Sequence, residues 1–313
     1  MSILVIIFFY ACSTSNIGSA TKNENLNMKI KEQHNVINPE NLPAQKPLTI
    51  GERALADKGE SRGLLSPVAG SLVSIASNAV KTIIANKQKK YIAGYQFGLT
   101  DLYFYDQLSN ESAFDPVGMQ FSGFKLVRTF IDKTGNNDTA LVADFVVDTS
   151  RMSEMINNSI FRLRVKDFEL HYAKARVENG KEKKLNLDFE ITFTTSYVND
   201  QGRIFDSVVL GKFYLFLRDA PLDKQQPGYK VYYDKMKDSL LVGKSFIVPR
   251  SFGYHREPSG EMKPGYSQGA YSIQVRVKES SKNHFVTQLI FENANVMIDA
   301  GSSQLKSTLN KKL

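Results

Sequence analysis

The chain contains very little cysteine and no tryptophan. Its 313 residues include a single cysteine, Cys12. One thiol excludes an intrachain disulfide, and it excludes any metal site built from several cysteine ligands. Tryptophan is the residue best suited to stacking on a sugar ring, so its absence weakens the case for a glycan-binding protein, although 14 tyrosines offer a substitute.

Motifs of common chemistry are equally scarce. No glycine-rich phosphate loop occurs, and no segment after residue 11 is apolar enough to be a clear transmembrane helix. The four histidines form no HExxH motif and no spaced pair with another ligand: His34, His171, His255 and His284. We therefore expect no metal and no cofactor. His171 continues a predicted strand, which favours a structural role.

The net charge of +8 is not spread evenly along the chain. Residues 64–90 carry +4 and the last eight residues carry +3, whereas residues 91–305 contain 26 basic and 26 acidic residues. This distribution argues against DNA binding, and we expect no nucleic-acid partner. Basic segments near the ends suit anionic lipid headgroups or an acidic partner; simple solvation of these lysines is the alternative.

Cys12 directly follows an apolar run that ends in Ala11. This arrangement resembles the signal peptide of bacterial lipoproteins. The resemblance implies that residues 1–11 are a signal peptide and that the Cys12 thiol is acylated and anchors the protein to a membrane. Ser13, in place of aspartate, implies the outer membrane of the cell envelope, and the lack of a following acidic run favours its periplasmic face. An ordinary secretory signal and a short uncleaved apolar segment are the alternatives.

Two segments precede the region of predicted strands. Residues 12–63 are rich in polar residues and almost free of aromatic ones, which predicts a flexible tether. Residues 64–90 predict an amphipathic helix, since Ser66 suits the N-cap, Pro67 suits the first helical position, and apolar residues then recur on one face. That face is expected to pack on the domain's own core, on another copy of the chain or on a membrane surface.

Residues 91–305 show the period of two that is typical of strands, and residues 306–313 form a basic tail. In residues 185–194 every odd position is apolar, which predicts a strand with one buried face. In residues 161–170 the alternation shifts phase at Asp167, which indicates a bulge. A short helix is predicted at 232–241. Nine strands are predicted: 91–105, 120–132, 140–148, 159–175, 185–198, 207–217, 244–248, 271–278 and 285–293.

Successive strands without intervening helices predict a fold class. The chain is expected to be mainly β, with an antiparallel β-sandwich that is either one large sandwich or two small ones. The amphipathic helix is expected to precede it.

One catalytic motif is present. Residues 265–269 match G-x-S-x-G, the nucleophile motif of serine hydrolases, with Ser267 as nucleophile, His284 downstream and Glu279 between them. However, Pro264 precedes the motif, and a predicted strand follows it where hydrolases have a helix. We interpret the motif as a loop between strands and predict no catalytic residue, with a hydrolase at Ser267 as the less favoured alternative.

Two groups of residues are candidates for partner binding. Tyr95, Tyr103 and Tyr105 lie mostly on one face of a predicted strand, and tyrosine is enriched at the energetic centres of interfaces. Residues 243–256 combine aromatic residues, arginines and turn residues, as binding loops do. The candidates in this second group are Arg250, Phe252, Tyr254 and Arg256. Ordinary core packing and a plain connecting loop are the alternatives.

These observations predict a non-enzymatic, membrane-anchored envelope lipoprotein that acts as a scaffold or adaptor for envelope protein partners. In layout the chain resembles accessory lipoproteins that anchor secretion or other trans-envelope machines. A lipoprotein that captures a glycan or a peptide is the alternative, and it predicts a concave pocket lined by tyrosines. Gly70 and Ser74, small residues four apart on the predicted helix, are compatible with a homo-oligomer.

Overall fold

A computed structural model describes residues 24–38, 40, 91–132, 134–177 and 183–281. Several predicted features lie outside these residues. They are the signal peptide with Cys12, the helix at 64–90, the strand at 285–293, His284 and the basic tail at 306–313.

The described residues form strands joined by turns, with little helix between them. The strands are β1 (Glu24–Glu32), β2 (Ile92–Tyr103), β3 (Phe121–Ile131), β4 (Asn137–Val147), β5 (Ile160–Phe161), β6 (Leu163–Leu170), β7 (Lys184–Val198), β8 (Ile204–Pro221), β9 (Val242–Phe246), β10 (Phe252–Arg256), β11 (Met262–Tyr266) and β12 (Ala270–Ser280). The helices are α1 (Met152–Asn158), which follows a 3₁₀ turn at Thr149–Arg151, and α2 (Tyr229–Asp234).

The strands assemble into three sheets, in which neighbouring strands run antiparallel. The four-stranded sheet has the order β1-β3-β4-β6, and the six-stranded sheet has the order β2-β12-β7-β8-β9-β5. A separate hairpin pairs β10 with β11. The predicted class, mainly β with antiparallel sheets, is confirmed.

The two large sheets pack face to face through aromatic side chains. Phe121 of β3 lies 5.6 Å from Phe193 of β7, measured between ring centroids, and Phe145 of β4 lies 6.4 Å from Phe189 of β7. Residues of both sheets belong to one large buried hydrophobic cluster. Burying one such side chain stabilises a fold by about 1.5–3 kcal/mol, so this shared core is the main reason that the sheets stay together. Within the described residues, the sandwich is a single large one.

Two predictions made from local sequence patterns, the alternation in β7 and the bulge in β6, agree with the structure. In β7 the inward side chains of Leu187, Phe189 and Ile191 are fully buried, and they come from the alternating apolar positions. In β6 the pairing passes from Asp144 with Asp167 to Phe145 with Val165, which leaves one extra residue between the paired positions of β6. The bulge predicted at Asp167 is therefore confirmed.

The prediction of a flexible tether is wrong for residues 24–32, because these residues form β1 and pair with β3 along their whole length. Met28 is the only residue of β1 that is buried. An edge strand with one inward side chain keeps a polar composition, and its backbone hydrogen bonds hold it to the sheet. Composition alone therefore gave no sign of it.

Some elements differ from the predicted ones. The predicted helix at 232–241 begins earlier and is shorter, because α2 spans Tyr229–Asp234. Helix α1 and the β10–β11 hairpin were not predicted. The two helices have only one or two turns and the hairpin strands have five residues each. Their periodicity is too short to distinguish them from the flanking loops.

A buried ion pair joins the two sheets at one end of the sandwich. Arg128 of β3 and Glu279 of β12 both point inward, their side chains are fully buried, and Arg128 Nη2 lies 3.3 Å from Glu279 Oε1. The Arg128 guanidinium also covers the ring of Tyr95, 4.5 Å from the ring centroid, and it donates a hydrogen bond to the carbonyl oxygen of Tyr172. Arg128 therefore contacts both sheets and the chain beyond β6.

The backbone completes this arrangement. Glu279 Oε2 accepts hydrogen bonds from the N–H groups of Lys174, at 2.6 Å, and Ala175, at 2.8 Å. Glu24, the first residue of β1, lies within 3.0 Å of Lys174 Nζ through its Oε2. Burial raises the pKa of the Glu279 carboxyl, and the positive charge of Arg128 opposes that rise. The carboxylate is thus held in the core by its partners.

Replacing Arg128 with methionine removes the charge that compensates buried Glu279. We expect Arg128→Met to lower the free energy of unfolding by about 3–5 kcal/mol, as measured by urea denaturation. The double variant Arg128→Met/Glu279→Gln should recover part of this loss, because it leaves no uncompensated charge. Lys125→Met, at an exposed position on the same strand, is the control and should change stability by less than about 0.5 kcal/mol. Equal effects of the two single variants would contradict the structural role of the pair.

Candidate functional site

Ser267 of the G-x-S-x-G motif lies in the turn between β11 and β12. Its Oγ accepts hydrogen bonds from the N–H groups of Ser251, at 2.9 Å, and Gly269, at 3.2 Å. The interpretation of the motif as a loop between strands is confirmed. Glu279 lies at the far end of β12, about 30 Å along the strand, so it cannot serve Ser267 as the acid of a triad.

Histidines and carboxylates do not gather into a metal site. Among the residues that the structure describes, no group of three or more histidine, cysteine, aspartate or glutamate side chains is arranged to hold a metal ion. His171 is half-buried and packs beside α2. Its Nε2 lies 2.9 Å from Glu169 Oε2, and its Nδ1 lies 2.8 Å from the hydroxyl oxygen of Tyr229. The prediction of a structural role for His171 is confirmed.

The three tyrosines predicted to form one surface do not share a face. Tyr95 and Tyr105 are buried, whereas the side chain of Tyr103 is 54% exposed. The pairing of β2 with β12 is irregular near Thr100 and Asp101, and Asp101 has a positive φ of 57°. This irregularity shifts the alternation of β2. Tyr95 and Tyr105 are therefore wrong as exposed partner-binding residues, and only Tyr103 lies at the surface.

Arg250 is also buried, so the prediction that it binds a partner is wrong as well. Its guanidinium lies 3.9 Å from the centroid of the Tyr105 ring, and its Nη2 lies 3.2 Å from Asp115 Oδ2. Its Nη1 donates to the carbonyl oxygen of Ser267 at 3.0 Å and to that of Gln107. Arg250 therefore fastens the loop of residues 104–120 to the turn before β12.

Tyr105 completes this buried cluster. Its hydroxyl donates a hydrogen bond to the carbonyl oxygen of Val248 at 2.7 Å. Burial raises the pKa of Tyr105 well above its ordinary value, so the hydroxyl stays protonated and remains a donor throughout the working pH range. The cluster fixes the base from which β10 extends.

The remaining candidates lie on the β10–β11 hairpin. Tyr254 faces Pro264 across the hairpin, and Arg256 faces Met262, so all four side chains are on one face of this two-stranded sheet. Tyr254 is 71% exposed and Met262 is 58% exposed, while Phe252 is half-buried against Tyr266 with ring centroids 5.3 Å apart. This face presents aromatic, thioether and guanidinium groups to solvent.

Exposed apolar residues continue beside the hairpin. Residues 104–120 run alongside it, since Ser109 and Tyr266 form a backbone bridge. We call the hairpin and residues 103–120 the hairpin end of the sandwich. Its exposed apolar side chains are Tyr103, Leu108, Phe114, Val117, Tyr254 and Met262.

Sequence reasoning missed several of these residues. Leu108, Phe114, Val117 and Met262 stand in turn-rich segments without alternation, so no pattern singled them out. The one available signal was the presence of large apolar residues in segments rich in turn-forming residues. An apolar side chain in an irregular loop either packs into the core or lies exposed at a contact surface.

We expect Tyr105→Phe to destabilise the fold, because it leaves the buried carbonyl group of Val248 without its donor. A loss of about 1–2 kcal/mol in the free energy of unfolding is expected from urea denaturation. Tyr103→Phe removes the same hydroxyl at an exposed position and should change stability by less than about 0.5 kcal/mol. A Tyr105→Phe variant as stable as Tyr103→Phe would show that the buried cluster does not hold the hairpin end.

His171 makes stability depend on pH. Burial lowers the pKa of His171 in the folded protein, with Glu169 opposing the shift. The unfolded chain therefore takes up a proton first, and stability falls as the pH drops below about 6.5 toward the lowered pKa. We expect His171→Gln to reduce this loss, measured as the urea midpoint between pH 7.5 and pH 5.5. An unchanged pH dependence in the variant would contradict the assignment.

Comparisons with known proteins give no relative. No protein-family model matches the chain, and no curated protein or solved structure matches it. Among the described residues, no helix has both the length and the apolar character needed to cross a bilayer.

Proposed function

We propose that the protein is a membrane-anchored scaffold or adaptor of the cell envelope whose hairpin end binds a protein partner. The observation that carries this proposal is the exposed face of β10 and β11, where Tyr254, Arg256 and Met262 stand together. Tyrosine and arginine dominate the binding energy of protein interfaces, and methionine is enriched there. Exposed apolar side chains in adjoining segments mark interaction surfaces on soluble domains.

The construction of the hairpin end supports the same proposal. Its loop and its hairpin are fastened to the sandwich by Arg250 and Tyr105, which are buried. A surface that is already ordered loses less conformational entropy on binding, so more of the contact energy appears as affinity. An exposed aromatic face on a rigid base is typical of a partner-binding surface and not of a flexible connecting loop.

The direction of the chain is consistent with anchoring through Cys12. β1 begins at Glu24, beside the Arg128–Glu279 pair, while Tyr103 and Ala270 pair at the opposite end, next to the hairpin. The twelve residues from Cys12 to Glu24 reach at most about 40 Å. An acylated Cys12 on the periplasmic side of the outer membrane would thus join the sandwich at the end remote from the hairpin, which leaves the hairpin end free for a partner.

The test is retrieval of partners from detergent-solubilised membranes of the native host. Wild type should retrieve a fixed set of envelope proteins, and Tyr254→Ala/Met262→Ala should lose them while staying in the membrane fraction. Removing two interface anchors weakens binding about thirtyfold or more. Val231→Ala is the matched control, because Val231 is exposed on α2 and that helix packs near Pro221, at the opposite end.

Anchoring is tested separately with Cys12→Ala. This variant should leave the membrane fraction because it lacks the acylated thiol. If it stays with the membranes, the proposed lipidation is wrong. If the hairpin double variant retrieves the same proteins as Val231→Ala, the hairpin end is not the docking surface and the scaffold proposal fails there.

A further inference from the structure

A polar pocket of about 540 Å³ opens on the outer face of the four-stranded sheet. None of its described lining residues belongs to the hairpin end, so the pocket is a separate surface. Its floor crosses three strands, since Gly123 of β3 is paired with Val146 of β4, and Val146 is paired with Arg164 of β6. Lys31 of β1 and Ser122 of β3 stand at one side of this floor.

The backbone around the pocket is built for close approach. A Cβ on Gly123 would lie 2.2 Å from the carbonyl oxygen of Phe145, and Gly123 has a φ of +145°, so only glycine fits there. The chain after β1 then forms a wall. Ile37 is buried in the main hydrophobic cluster, and it holds the neighbouring amides of Asn35 and Asn38 against the pocket.

Three cations line the pocket, and two of them are not fully satisfied. Lys31 is paired with Asp144. Arg164 Nη1 lies 3.3 Å from Asp238 Oδ1, but its Nε is buried and has no hydrogen-bond partner. Lys166 is exposed and, within the described chain, makes no ion pair. The Arg164 side chain is 36% exposed, so the guanidinium keeps N–H donors open to an anion that enters the pocket.

Arg164 and Lys166 stand on the same face of β6. Arg164 and Lys166 are two residues apart, so both side chains lie on the outer face. The extra residue that the bulge inserts there lets Phe168 return to the core while Lys166 stays outside. Plain alternation therefore sets the two cations side by side at the pocket, and the bulge restores the inward phase of β6 after Lys166.

The other lining groups define the body of a ligand, and they include the apolar side chains of Val36, Val146, Val147 and Met152. Carboxamides come from Gln33, Asn35 and Asn38, and hydroxyls come from Ser122 and Thr149. No aromatic side chain appears among the described lining residues, so there is no platform for a neutral sugar ring, and the tyrosine-lined pocket expected of a glycan- or peptide-capture protein is not what this pocket presents. Amides and hydroxyls instead suit the hydroxyl groups of a compact polar molecule.

We propose that this pocket binds a small phosphorylated ligand with a hydroxyl-bearing body, a sugar phosphate in chemical class, whose phosphate interacts with Arg164 and Lys166. Guanidinium and ammonium groups are the side chains that bind phosphate by charge-assisted hydrogen bonds. Asp238 competes for Arg164 with a side chain that is 74% exposed, so it can turn into solvent when an anion enters. This site is independent of the proposed docking at the hairpin end.

The test is titration calorimetry with the full chain in a neutral detergent, with glucose 6-phosphate as the probe. Glucose should not bind, because it lacks the anion, and inorganic phosphate should bind more weakly, because it lacks the hydroxyl-bearing body. Lys166→Gln should weaken binding about fivefold or more. Asp238→Asn should tighten it about twofold, since it removes the competing carboxylate, and asparagine tolerates the positive φ of 62° at this position.

Lys244→Gln is the matched control, because Lys244 is exposed on β9 of the other sheet. Its affinity should stay within about twofold of wild type. Three results would each overturn the proposal: no binding of glucose 6-phosphate up to about 10 mM, equal weakening by Lys166→Gln and Lys244→Gln, or inorganic phosphate binding as tightly as glucose 6-phosphate.

A second experiment distinguishes two sources of the sugar phosphate, the headgroup of a lipid and a soluble molecule. Vesicles of phosphatidylcholine, with or without phosphatidylinositol 4-phosphate, are added to the Cys12→Ala variant together with glucose 6-phosphate. Competition that requires the phosphorylated headgroup and is weakened by Lys166→Gln identifies a lipid headgroup as the source. Binding of glucose 6-phosphate without such competition identifies a soluble molecule. Either result supports the pocket as a sugar-phosphate site.

Discussion

The ion pair between Arg128 and Glu279 is the contact on which the arrangement of the sandwich depends. Hydrophobic packing attracts the two sheets to each other, but it is not directional. A fully buried arginine and a fully buried glutamate, by contrast, must meet, because either one alone in the core carries a large desolvation cost. Since Glu279 also receives the N–H groups of Lys174 and Ala175, this one carboxylate fixes the relation of the sheets and the path of the chain after β6.

The opposite end of the sandwich is organised by a second buried arginine. Arg250 gathers the loop of residues 104–120 and the turn before β12, and Tyr105 packs beneath it. The aromatic core lies between these two polar ends. A rigid end allows irregular segments to carry exposed groups in fixed positions, and the hairpin face depends on this.

The fold class followed from sequence because it rests on repeated local patterns, as in β7, where alternation runs over many residues. The site did not, because its residues take their exposure from single irregularities. Tyr95 is inward in the regular phase of β2, and the shift near Asp101 reverses that phase and turns Tyr103 outward; no pattern of residue types predicts this shift. Arg128 and Glu279 were visible in principle, since each continues the inward phase of an apolar strand. Two charged residues of opposite sign at inward positions of two apolar strands are the sequence pattern that indicates a buried ion pair.

The pairing of β1 with β3 has a consequence for the order of folding. Glu24 of β1 lies opposite Phe130 of β3, so strands about a hundred residues apart in the chain are neighbours in the sheet. β1 cannot find its place until β3 has been synthesised, and closing so long a loop carries a large entropic cost before any contact offsets it. Until β1 pairs with it, β3 is an edge strand whose backbone groups on that side are unpaired. β1 therefore joins the sheet late, whereas hairpins such as β3–β4 and β7–β8 pair strands that follow each other in the chain.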